Sequence, residues 1–107
     1  MAFALSNSLS ALLPSSAGAV FNFSVATAVK SVRLTNSHTS SLTFSLWFDY
    51  DGTSNGDVDL VAKDVTIAAG ESVMLDGGPW HFGASSRISG IASSANKIAC
   101  HVTPATI

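Results

Sequence analysis

Oxygen-bearing side chains gather at one place in the chain, the run Asp51-Gly52-Thr53-Ser54-Asn55-Gly56-Asp57-Val58-Asp59. Asp51, Thr53, Asn55 and Asp57 alternate, and Gly56 stands where a calcium loop of the EF-hand type turns sharply. The twelfth position of such a loop calls for a bidentate Glu, and here it is Ala62. The flanking segments also alternate as strands do. The run reads more simply as a polar hairpin loop, with Gly supplying positive φ and Asp or Asn supplying local capping.

A zinc site would have to draw on His38, His81, His101 and the single Cys100. None has a neighbour at metal-ligand spacing, and Cys100 and His101 point to opposite faces if their segment is a strand. The simpler reading is a turn histidine, an edge histidine and a small buried thiol. Serines are abundant, but none sits in a strand–elbow–helix setting such as G-x-S-x-G. The paired Asp residues lie in the loop, where no apolar pocket would raise a carboxyl pKa. The sequence is therefore expected to belong to no enzyme, and no cofactor or metal is expected. Trp47, Trp80 and Phe82 could stack on sugars through their ring faces. The alternative is that Trp80 and Phe82, in Gly77-Gly78-Pro79-Trp80-His81-Phe82, plug one end of the domain or meet a neighbouring subunit.

The elements that must position these groups read as strands. With 107 residues the chain forms one domain with a thin core. Period-two alternation begins after Gly18, with Phe21, Phe23 and Val25 on one face, and then Val32 and Leu34. It is strongest over Leu42 to Tyr50, where Leu42, Phe44, Leu46, Phe48 and Tyr50 face one way and Thr43, Ser45 and Trp47 the other. A strand follows from about Leu60 to Ile67, interrupted at Lys63-Asp64, then a tight turn at Ala68-Ala69-Gly70-Glu71. Ser72 to Leu75 is a short strand, Asp76-Gly77-Gly78-Pro79 a turn, and Trp80 to Phe82 a brief extended piece. Arg87 to Ala92 and Lys97 to Thr103 read as a closing pair. The expectation is an all-β fold, an antiparallel β-sandwich of seven or eight short strands spanning residues 19–107. Residues 1–18 read as an extended N-terminal arm broken by Pro14.

Composition narrows the function. Hydrophobic residues make up 47% of the chain and charged residues 11%, well below the usual share, and the formal net charge is −2. The five Lys and Arg stand singly, so no basic stripe supports nucleic-acid binding. Solubility falls to 18 Ser and 8 Thr, and so few charges suit a surface buried against partners. A homo-oligomer is expected, with a cyclic trimer as the first expectation. One cysteine excludes an intrachain disulfide scaffold. The apolar run Leu9 to Leu13 before Ala17-Gly18-Ala19 has no Lys or Arg ahead of it, which reads against a secretory signal. No segment has the length of a membrane span.

Between about Val20 and Thr103 the sequence resembles a family of small β-sandwich proteins encoded among the structural genes of tailed bacteriophages. The likeness rests on Val29-Lys30-Ser31-Val32-Arg33-Leu34-Thr35-Asn36, on Leu42-Thr43-Phe44-Ser45-Leu46-Trp47, and on Lys63-Asp64-Val65-Thr66-Ile67-Ala68-Ala69-Gly70-Glu71-Ser72. Ile88 to Val102 resembles the family's closing hairpin. The chain departs from the family in its acidic loop, Asp49 to Asp59, and in its apolar arm. The resemblance implies a virion location and a decoration, collar, fibre-base or tail accessory role. The major capsid protein is the expected partner, with neither nucleic acid nor membrane. The residues expected to make assembly contacts are Phe3, Leu5, Leu9, Leu12 and Leu13 of the arm, with Trp80 and Phe82. An adhesin-like carbohydrate-binding module is the alternative.

Overall fold

Among the described residues, the alternation read from the sequence becomes eight strands in two four-stranded sheets. The computed structural model describes residues 9–50 and 59–105. Its strands are β1 (Leu9–Leu12), β2 (Gly18–Asn22), β3 (Thr27–Asn36), β4 (Leu42–Asp49), β5 (Leu60–Ile67), β6 (Ser72–Phe82), β7 (Arg87–Ala92) and β8 (Ile98–Ala105). One sheet has the order β1-β8-β3-β6, the other β2-β7-β4-β5, and every pairing is antiparallel. The protein is an all-β antiparallel sandwich.

Period two decides what is buried. On β4, Phe44, Leu46 and Phe48 are at most 1% exposed and face Val32 and Leu34 of β3 and Ile98, Cys100 and Val102 of β8 in a single core. Each strand gives its apolar face to the opposite sheet, and successive described strands mostly alternate between the two sheets. Among the described strands, only β4 and β5 are neighbours both in sequence and in a sheet. The expected closing pair therefore differs. β7 lies between β2 and β4, and β8 between β1 and β3. Their alternating residues face each other across the core instead of pairing edge to edge.

Asp76-Gly77-Gly78-Pro79 is also no turn. β6 runs unbroken from Ser72 to Phe82, and the sequence signal for a turn marks a wide bulge. Val29 pairs with Trp80 and Ser31 with Asp76, so Lys30 faces three residues, Gly77 to Pro79. A Cβ on Gly78 would lie 2.6 Å from the carbonyl oxygens of both Val29 and Lys30, which only glycine permits. The Lys63-Asp64 interruption in β5 is a second bulge. Asp64 takes positive φ (49°), and its N–H donates to Ser45 Oγ at 2.9 Å.

The arm expected over residues 1–18 is, in its described part, sheet. β1 pairs with β8 from Leu9↔Val102 to Leu12↔Ala99. Leu13 is fully buried, with its N–H donating to Ile98 O at 2.9 Å. The next carbonyl, Pro14 O, accepts from Ala92 N at 2.8 Å in the other sheet. Leu13 fills the space that Gly90 leaves open: a Cβ on Gly90 would come within 2.9 Å of Leu13 Cδ2. These residues read as an arm because Ser10 and Pro14 break the alternation, yet one buried leucine and two ladder bonds make them part of the domain.

Candidate assembly surface

Of the residues expected to make assembly contacts, Phe3 and Leu5 lie outside the described residues. The other five divide into two sites. Leu9 and Leu12 stand on β1, 38% and 50% exposed. β1 is an edge strand whose only partner among the described strands is β8. Leu13, two bonds further along the same ladder, is not available to a partner because it is enclosed in its own core. A shallow hollow of about 270 Å³ beside this edge is lined by Ser10, Ala11, Leu12, Ala99 and His101.

Trp80 and Phe82 belong to the other site, at one end of the sandwich. Phe82 is 1% exposed. Its ring stacks on Phe23 and on Tyr50, each at 4.9 Å, and meets Phe48 edge-on at 5.2 Å. Phe82 is therefore a plug and not a contact residue, because three neighbouring rings of its own domain already cover it. Trp80 is half-buried and meets Phe48 edge-on at 5.1 Å. Tyr50, which the sequence did not single out for contact, is 44% exposed although its ring stacks on Phe82. Burial and then the nearby Asp59 carboxylate push its phenol pKa up. Trp47 is half-buried on the outer face of the other sheet, where it is paired with Ser89. Trp47, Trp80 and Phe82 thus share no common platform for a sugar ring.

The polar groups are arranged for structure. Asp49 was read with the acidic loop, but it is the last residue of β4 and fully buried on that strand's outward side. Ser89 Oγ donates to its Oδ2 at 2.6 Å, and Arg87 Nε donates to the same oxygen at 3.1 Å. Oδ1 is buried without a hydrogen-bond partner. The cross-strand register Asp49↔Arg87 builds this contact directly. Ser89 is as buried as Asp49, so a substrate has no path to its hydroxyl. The signal in the sequence was positional: Asp49 continues the outward row Thr43, Ser45, Trp47.

Cys100 and His101 do point to opposite faces. Cys100 is in the core, and burial pushes its thiol pKa up to about 12. His101 lies on the outer face between Ser10 and Arg33 in register. His38 follows β3, where its N–H donates to Asn36 Oδ1, and His81 is exposed on β6. Among the described residues, no three His, Cys, Asp or Glu side chains come together as metal ligands. The loop considered for calcium lies outside the described residues apart from Asp59. A second cavity of about 270 Å³ is lined by Thr43, Ser45, Asp64, Ile91 and Ser93, and Ser45 and Asp64 bond each other within it.

What these features define is a β-sandwich with one aromatic-capped end and an apolar β1 edge that has no second partner among the described strands. Comparisons with protein-family models, with curated proteins and with solved structures returned no match.

Proposed function

We propose that this chain is a non-enzymatic structural subunit of a bacteriophage virion, most simply a capsid decoration or cement protein that binds the capsid lattice through the major capsid protein. The observation that carries the reading is the uncharged β1 edge, where Leu9 and Leu12 are exposed. Such an edge costs solubility and returns it only when another surface covers it. The low charge of the whole chain points the same way. So does the resemblance of its strand segments to small phage sandwich proteins. A tail, collar or fibre-associated position uses the same physics and differs in copy number.

The test is an add-back experiment with particles lacking this chain. Full-length protein should bind them saturably, at a fixed ratio to the capsid subunit, and raise their resistance to heat or chelation. Failure to bind at micromolar concentration, or binding without saturation, would overturn the decoration role. Binding at only a few copies per particle would move the protein to the tail or collar. A second reading, carbohydrate binding, is favoured by the partly exposed Tyr50 ring alone. It requires saturable glycan binding that Tyr50→Ala abolishes.

A further inference from the structure

Among the described strands, four form the sheet edges of the sandwich, and three of these carry features that block pairing with another chain. β5 has the exposed pair Lys63-Asp64, a positive φ at Asp64 and two register breaks. β6 has Asp76 and the Gly77–Pro79 bulge. β2 has a register break between Ala19 and Phe21. Charges, bulges and prolines are the usual protection of sheet edges. β1 has none of them. Leu9–Leu12 is regular in register with β8 and has no charge, glycine or proline.

The ladder fixes which backbone groups of β1 are open. Leu13 N–H donates to Ile98 O. In an antiparallel ladder the residues that bond a partner alternate. Ala11 and Leu9 therefore also direct their amides and carbonyls at β8, while Ser10 and Leu12 direct theirs away from it. That pattern is self-complementary about Ala11. If a second β1 runs antiparallel with Ala11 opposite Ala11, then Ser10 lies opposite Leu12 of the second copy, and each residue exchanges backbone hydrogen bonds with the other. Side chains opposite each other share a face, as antiparallel pairing requires. Ser10 and Leu12 lie on the outer face, and Ala11 meets Ala11 of the second copy on the inner one. A two-fold axis brings the same short edge of both copies together, so an edge charge would sit close to a like charge. β1 brings none.

We propose that two copies of this chain join through their β1 edges, two-fold symmetric about Ala11, and merge their β1-β8-β3-β6 sheets into one. The partner is a second copy, and the symmetry is two-fold in place of the cyclic trimer expected from composition. The virion reading draws on the same β1 edge, so a dimer would leave that reading to the low charge of the chain, while a monomer in sedimentation would overturn the dimer and not the virion role.

The experiment uses the full chain at micromolar concentration in sedimentation velocity. Wild type should sediment as a dimer. Ser10→Pro removes an amide that points away from β8, and Leu12→Lys charges an exposed position. Each should weaken dimerisation at least ten-fold while the thermal melt stays in place. A cross-link tests the register independently. Ala11→Cys must be made with Cys100→Ala, because Ala11 and Cys100 are cross-strand partners within one chain and would bridge each other. Opposed cysteines at a non-hydrogen-bonded pair lie close enough for a disulfide, so this double variant should oxidise to a covalent dimer. A monomeric or trimeric wild type would overturn the proposal. So would a dimer indifferent to both substitutions, or an Ala11→Cys protein that stays a free thiol under oxidation.

Discussion

Asn36 ties the two sheets together: its Nδ2 donates to Ile67 O at 2.9 Å, from β3 in one sheet to β5 in the other. The same amide donates to Ser40 O at 2.9 Å, and Oδ1 accepts from His38 N at 2.8 Å. Asn36 is fully buried, and its carboxamide makes these bonds at the end of the sandwich opposite the aromatic plug. Asn36→Ala leaves the Ile67 carbonyl buried without that partner, which should cost about 1–3 kcal/mol. Asn36→Asp should cost no less, since a carboxylate cannot donate to either carbonyl. Urea unfolding reads both, and an unchanged midpoint would remove Asn36 as the pin.

Leu13 and Leu46 should behave alike. Both are fully enclosed, although one lies in the segment that reads as an arm and the other in the strongest strand. Each Leu→Ala change should cost on the order of 2–5 kcal/mol. Deleting residues 2–16 should likewise destabilise the domain, because it removes β1 and Leu13 together. A Leu13→Ala loss below about 0.5 kcal/mol would return this residue to the surface.

Cys100 should make the fold sensitive to alkali. Burial holds the thiol at about 12 against 9.0 for a free one. The folded value is the higher, so the associated stability is complete below pH 9 and is lost as the pH rises through about 12. Tyr50, also raised by burial and by Asp59, adds in the same direction. Comparison with Cys100→Ala isolates the cysteine: the variant should lose less stability over that range. Equal alkaline slopes for the two proteins would show the thiol to be solvated. At neutral pH the native thiol should react with a disulfide reagent only as fast as the domain opens.

The Asp49–Arg87 pair should be asymmetric. Arg87→Met leaves a fully buried carboxylate with Ser89 as its remaining donor, and should cost on the order of 3 kcal/mol. Asp49→Asn keeps an acceptor for Ser89, and the Arg87 side chain, 28% exposed, can reach water. It should cost less. Denaturant unfolding ranks the two, and the reverse order would contradict this asymmetry.

Strand character was legible where one face is apolar and the other polar, as in β4, because a single register buries Phe44, Leu46 and Phe48. Which strands pair was not legible. Ile88 and Ile98 carry the same signal whether their strands form a hairpin or face each other across a core. Turn chemistry misled at Gly77-Gly78-Pro79, since the residues that suit a turn also suit a bulge inside a long strand. Leu13 was legible as apolar but not as buried, because its partner is the missing side chain of Gly90. Of the assembly residues, composition alone could not separate the exposed Leu9 and Leu12 from the enclosed Leu13 and Phe82.

The central claim, a structural subunit of a virion, is tested most directly by finding the chain in particles. Phage particles purified through two density gradients from a lysate in which the chain is expressed should, on this proposal, contain it at a constant ratio to the major capsid protein, measured by quantitative mass spectrometry. Its ratio should stay constant through salt washes that strip adventitious protein. A chain abundant in the lysate but absent from washed particles would contradict the account.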